Sequence, residues 1–195
     1  MCFFKKYTYQ DFSINDWSGG TSTQLVIYPS ESDLSKQNFE FRISTASIDV
    51  EESQFTQFFS HKRIICSLLN PITLIHSDSQ PFYLTPFVPY SFDGGMKTKC
   101  VGKTIDFNVI FNDGWDASIK VYQIDSMIDM DYIQSYSDLT YLFQVKGESY
   151  INAFLLEESE LLLFKEIPDD FNLKIVNTDS LLVCVKLKKY NKLKL

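Results

Sequence analysis

Apolar and polar residues alternate along short stretches of this chain, and the alternation is clearest in Gly102-Lys103-Thr104-Ile105-Asp106-Phe107-Asn108-Val109-Ile110-Phe111. In an extended strand residues i and i+2 share a face, so Ile105, Phe107 and Val109 take one side and Asp106 and Asn108 the other. A carboxylate and an amide on one face of an otherwise apolar strand need polar partners if they are buried. Such a pair either fixes the inside of a barrel or holds a ligand. Residues 39–48 repeat the pattern, with Phe39, Phe41, Ile43 and Thr45 on one face and Glu40, Arg42, Ser44 and Ala46 on the other. Arg42 and Ser44 therefore stand together, as Asp106 and Asn108 do.

Other strands follow from the same rhythm. Residues 7–9 alternate, and Asp16 to Thr21 reads as a turn that carries Trp17, with Gly19 and Gly20 free to take positive φ or a close approach. A strand over 22–28 ends at Pro29 and a polar loop. A Phe- and Gln-rich connector over 51–60 leads to strands 64–69 and 72–76, joined at Asn70-Pro71 as a short hairpin. Pro81, Pro86 and Pro89 confine the next strands to short pieces or edges. A second series starts near Trp115, with strands over 117–124, 139–145, 150–156, 160–164 and 173–187. The basic tail 186–195 reads as a solvated edge strand whose lysines discourage pairing. Many short strands with few helical periods predict an all-β barrel or sandwich. No Gly-, Ser- or Pro-rich linker divides the chain, so two β units, 1–114 and 115–195, are expected to pack closely and to share strands at the boundary.

Composition sharpens this picture. Seventeen Phe and eleven Tyr favour strands, and a hydrophobic content of 45% excludes a disordered chain. A net charge of -7 argues against a general nucleic-acid binder, which must neutralise phosphates. No stretch is long and apolar enough to span a bilayer, and the start Met1-Cys2-Phe3-Phe4-Lys5-Lys6 lacks a signal peptide's apolar segment, so a cytoplasmic protein without membrane contact is expected. Cys2, Cys66, Cys100 and Cys184 show no paired spacing and read as reduced thiols. Neither a phosphate-binding glycine loop nor a nucleophile-elbow serine is present.

Several short motifs occur in an order that resembles the HutD/Ves family. They are Trp17-Ser18-Gly19-Gly20-Thr21, Phe41-Arg42-Ile43-Ser44-Thr45-Ala46, Phe55-Thr56-Gln57-Phe58 running on to Arg63, Phe92-Asp93-Gly94, and Asp106-Phe107-Asn108-Val109-Ile110. The family pattern has tryptophan at the position of Phe41, glycine at Ser60, aspartate at Gly95 and methionine at Ile110. The motifs cover about the first 110 residues, and an ordered set is more specific than any one member. The resemblance implies a bicupin, a cupin-type double β-barrel of the RmlC-like jelly-roll kind, often paired into dimers. It also implies a link to histidine utilisation or stress response, without an established catalytic activity. Its implied ligands are small organic acids such as formylglutamate or urocanate.

Cupins usually hold a metal through several histidines and a carboxylate. This chain has only His61 and His76, and a two-His, one-carboxylate site would need Asp93 or Asp106 as well. No metal or other cofactor is therefore expected. A guanidinium offers a planar fork that fits a carboxylate with two hydrogen bonds. Arg42 and Arg63, with Asp106 and Asn108, form the candidate acid site, and Thr21, Thr23, Gln24, Ser44 and Trp17 complete its lining. The structural alternative is a buried ion pair between one arginine and Asp106. The leading reading is a non-catalytic sensor or regulator with a metal-free, arginine-anchored carboxylate pocket. The alternatives are a metal-independent isomerase or lyase with Asp106 or Asp93 as base, and a protein-interaction module with a vestigial pocket.

Overall fold

In the computed structural model, which describes residues 4–77, 79–123, 127–176 and 178–190, the chain divides into two compact β units. One is Phe12–Trp115; the other is Asp116–Tyr190 together with the described residues before Phe12. The start of the chain joins the second unit because the strand Phe4–Tyr7 pairs antiparallel with Leu161–Phe164. Cys2, Ile124 and the end of the basic tail, residues 191–195, lie outside the described residues.

The Phe12–Trp115 unit has two sheets. The larger runs in the order Ser13–Trp17, Gly20–Tyr28, Phe41–Ile48, Thr104–Asn112, His61–Ser67, Tyr90–Asp93, and the smaller in the order Glu52–Gln54, Thr98–Val101, Ile72–His76, Phe82–Leu84. Ile48, Ile65 and Phe92 from the first meet Ile72, Leu74, Leu84 and Cys100 from the second in one core that also takes in Phe55. Alternation places these residues inward, and burying each large apolar side chain contributes about 1.5–3 kcal/mol.

Two expectations are corrected here, the hairpin after His61 and the strand at Tyr9, and one further strand, not expected from the sequence, appears before Trp17. Strands His61–Ser67 and Ile72–His76 do not form a hairpin, because the chain crosses at Asn70-Pro71 from one sheet to the other and each strand pairs elsewhere. The turn expected at Trp17 is present and closes a hairpin, whose first strand, Ser13–Trp17, is mostly exposed and so lacks an apolar face to read. Tyr9, expected in a strand, lies in the short 3-10 helix Tyr9–Asp11.

The other unit pairs Phe4–Tyr7, Leu161–Phe164, Leu139–Lys146, Leu181–Lys189 and Trp115–Gln123 in one sheet, and Phe154–Leu156, Ser149–Ile151 and Leu173–Ile175 in a second. Leu142, Leu162, Phe164, Leu182 and Cys184 share a core with Ile151, Leu156 and Leu173. The expected strand 150–156 is a hairpin, since Asn152 takes positive φ and reverses the chain. Leu181–Lys189 is an interior strand rather than an edge, with Leu139–Lys146 on one side and Trp115–Gln123 on the other. It tolerates Lys186 there because the ammonium caps the helix Met130–Gln134, donating to the carbonyl oxygens of Tyr132 and Ile133 at 2.8 and 2.9 Å and to that of Ser135. No helix among the described residues is long and apolar enough to cross a membrane.

Candidate functional site

The sheet register assembles the site. Asp106 faces Ala46, Asn108 faces Ser44 and Ile110 faces Arg42 across one strand pair, while Ile110 faces Arg63 across the next. Paired residues of adjacent strands point the same way, so four strands send polar groups into the interior of one unit. There they line a cavity of about 180 Å³. Arg42, Ser44, Arg63, Asp106, Asn108 and Trp17, all anticipated, reach it.

The two arginines are held differently. Arg42 donates through Nε to Gln24 Oε1 at 3.0 Å, and through its terminal nitrogens to Ser44 Oγ at 2.7 Å and Ser22 Oγ at 3.1 Å. Arg63 donates only Nε, to Asn108 Oδ1 at 2.8 Å, and its guanidinium carbon lies 4.3 Å from the centre of the Phe55 ring. Among the described residues its terminal nitrogens have no hydrogen-bond partner. Asn108 in turn donates Nδ2 to Asp106 Oδ1 at 2.5 Å. The amide thus fixes both neighbours, with its oxygen toward the guanidinium and its nitrogen toward the carboxylate.

The buried ion pair is not what forms. Neither Arg42 nor Arg63 is ion-paired with Asp106 among the described residues, because Asn108 stands between Asp106 and Arg63 while neutral oxygens occupy Arg42. Burial pushes the Asp106 carboxyl up to about 6, against the pull of Arg63, the Asn108 amide and Arg42. Burial lowers both arginines; Arg42, also repelled by Arg63, falls to about 10.

Gln24 stands behind the wall as the partner of Arg42. Thr21 does not join the site: its hydroxyl donates to Asp16 Oδ1 at 3.3 Å and its backbone N–H to Ser47 Oγ at 3.1 Å. Register explains this, since Ser22 and Gln24 face Ala46 and Ser44, whereas Thr23, and Thr21 with it, take the opposite face. Ser22 was legible by that parity. Phe55, Thr56 and Phe58 also line the cavity, from a segment that reads only as a connector.

Trp17 forms the rim. Its indole folds over Gly19, where a Cβ would overlap the ring, and its N–H is buried without a partner among the described residues. Asp93 is exposed and accepts the Gly95 N–H at 2.7 Å, away from the cavity. His61 places its ring nitrogens 2.8 and 3.0 Å from the carbonyl oxygens of Phe59 and Phe39, and His76 sets Nδ1 2.9 Å from Thr98 Oγ1. Among the described residues no three of His, Cys, Asp and Glu are grouped to hold a metal ion.

Comparison with known proteins gives a family and a fold. The HutD family model matches residues 9–183. No curated protein matches the sequence. HutD from Pseudomonas fluorescens SBW25, solved in a formate condition, is 18% identical, with a TM-score of 0.71 over 97% of this chain and 100% of that one. A conserved protein of unknown function from Pseudomonas aeruginosa PAO1 is 17% identical, with a TM-score of 0.75 over 96% and 100%. The pirin YhhW of Escherichia coli, in complex with nickel(II), is 9% identical with a TM-score of 0.63 over 96% and 100%. These likenesses identify an all-β, cupin-type fold.

Proposed function

The chain belongs to the HutD family, and from that premise we propose that it binds a small organic acid in the Phe12–Trp115 unit and serves as a sensor or regulator. The observation that carries this reading is Arg63. Its charge is buried, its Nε is anchored on Asn108, and its terminal nitrogens are unbonded beside a cavity. A guanidinium in that state has two parallel N–H groups to offer a carboxylate. The cavity, at about 180 Å³, lies below the 300–1,000 Å³ of drug-sized sites and suits a small acid. A formate condition accompanies the P. fluorescens HutD structure, and formate is the smallest member of the class. The histidine-utilisation setting, and pairing into a dimer, follow from the family resemblance and belong to the same proposal.

Thermal unfolding tests it, with wild type and Arg63→Ala titrated against small acids that include urocanate and N-formylglutamate, with and without a chelator. A ligand of the folded state stabilises by about 2.7 kcal/mol at a hundredfold excess over its Kd. We expect a chelator-resistant rise in Tm that Arg63→Ala abolishes. Absence of any shift with every acid overturns the reading.

One observation favours a second reading. A carboxyl raised to about 6 beside a cavity has the proton affinity of a general base near neutrality. A metal-independent isomerase or lyase acting through Asp106 would convert one of these acids, and conversion would stop in Asp106→Asn. Unchanged proton NMR spectra of the acids after incubation with wild type would remove this reading.

A further inference from the structure

The charges of the cavity do not balance. Arg42 and Arg63 are each less than a tenth exposed, and every hydrogen bond they make within the described residues goes to a neutral oxygen, from Gln24, Ser44 and Ser22 for one and from Asn108 for the other. Asp106, about 1% exposed, is the single buried carboxylate in the lining among the described residues. Two cations and one anion leave the interior with one positive charge in excess, and buried charge without compensation is costly. One ligand carboxylate restores balance. A second would bring the interior to a net negative charge.

The rest of the wall points the same way. The lining also has an apolar part, Trp17, Phe55, Phe58, Leu34 and Ile110, with Phe55 against the Arg63 guanidinium, and no third cation lines the cavity among the described residues. The charged side chain at its rim is Asp16, an exposed carboxylate that repels a second anion.

Building on the acid-binding reading above, we propose that the cavity selects acids with one carboxylate on an otherwise uncharged body and discriminates against the same skeleton bearing two. The carboxylate lies on the free edge of Arg63, and the body lies against the aromatic wall. A dicarboxylate enters only when the interior takes up a proton, and Asp106 is the group placed to accept it. The charged and titratable groups around Asp106 are Arg42 from Phe41–Ile48, Arg63 and Cys66 from His61–Ser67, and Cys100 from Thr98–Val101. Both thiols are pushed up to about 12 by burial and stay neutral, so Asp106 alone changes charge between pH 5.5 and 8. Urocanate, with one carboxylate, fits this selection; formylglutamate, with two, does not.

Matched skeletons test the idea on the full chain. Crotonate against fumarate, and benzoate against terephthalate, are titrated by calorimetry at pH 8 and pH 5.5. The monoacid of each pair is expected to bind at least tenfold tighter at pH 8, with the gap narrowing at pH 5.5 as the diacid draws a proton into the site. Asp106→Asn adds one net positive charge and is expected to erase the preference. If that variant does not fold, the wild-type pH series decides. A diacid that binds as tightly as its monoacid at pH 8, or a gap indifferent to pH, overturns the selection while leaving acid binding intact. Failure of all four acids to bind, with urocanate and formylglutamate also silent, removes the acid pocket itself and the selection with it.

Discussion

Each unit buries cationic side chains, and Lys186 of one and Arg63 of the other are treated in opposite ways. Lys186 of the Asp116–Tyr190 unit gives its protons to the carbonyl oxygens of Tyr132, Ile133 and Ser135 and to Ser135 Oγ at 2.9 Å, so its donors are used up on the end of a helix. Arg63 of the other unit spends one donor on Asn108 and leaves its terminal nitrogens facing a cavity. Both cations are buried, and what separates them is saturation of their donors. Buried charge is expensive to keep, and the cost shows in the carboxyl of Asp106, which burial raises although Arg63 pulls it down.

The sharpest way to measure that cost is pH. Burial raises the Asp106 carboxyl from 3.8 to about 6, so the folded chain holds this proton more tightly than the unfolded one. Folding stability gains from this group as pH falls from about 6 to 4, and the gain is lost as pH rises back through that window. The swing is about 3 kcal/mol. Unfolding free energies of wild type and Asp106→Asn, subtracted at each pH so that other carboxylates cancel, should differ by a curve that moves only between pH 4 and 6. A flat difference would mean that the carboxylate is compensated and that the site is as saturated as Lys186.

The converse test breaks the saturated charge. Lys186→Met keeps the length of the side chain but leaves helix-end carbonyls without donors. Unsatisfied buried acceptors cost about 1–3 kcal/mol each, offset by no longer burying an ammonium, so a net loss of about 2 kcal/mol in urea unfolding is expected. Acid-induced stabilisation should persist undiminished. Loss of the ligand response in this variant would show that the two cations do not play separate roles.

Much of this contrast was legible in the sequence, and its limits are physical. The i, i+2 rule placed Arg42 with Ser44 and Asp106 with Asn108, because a strand fixes side-chain direction whatever its neighbours are. The same rule excludes Thr21 from a face that holds Gln24, and it names Ser22 instead. Lys186 misled because a lysine in an apolar strand looks the same at an exposed edge and in an interior strand; the helix carbonyls that saturate it come from more than fifty residues away in sequence. Likewise the Asn70-Pro71 turn reads as a hairpin until the partner strands are known, since loop length does not reveal a crossing between sheets. Phe55 and Phe58 are wall residues by long-range packing alone.

The smallest effect tests whether the free edge of Arg63 depends on the wall around it. The Trp17 indole rests over Gly19 so closely that a Cβ there would fall within the ring, and it meets Phe55 edge-on at 6.4 Å. Phe55 is in turn the ring that packs on the Arg63 guanidinium. Gly19→Ala must therefore displace the indole, disturbing the rim without touching Arg63, Asn108 or Asp106. A stability loss of about 1 kcal/mol is expected, in the lower part of the range for overpacking because Trp17 is only half-buried and can swing outward. Ligand affinity should fall severalfold while the Asp106 pH curve stays in place. A curve that moves with Gly19→Ala would mean that the rim, and not the buried charge count, sets the electrostatics of the cavity.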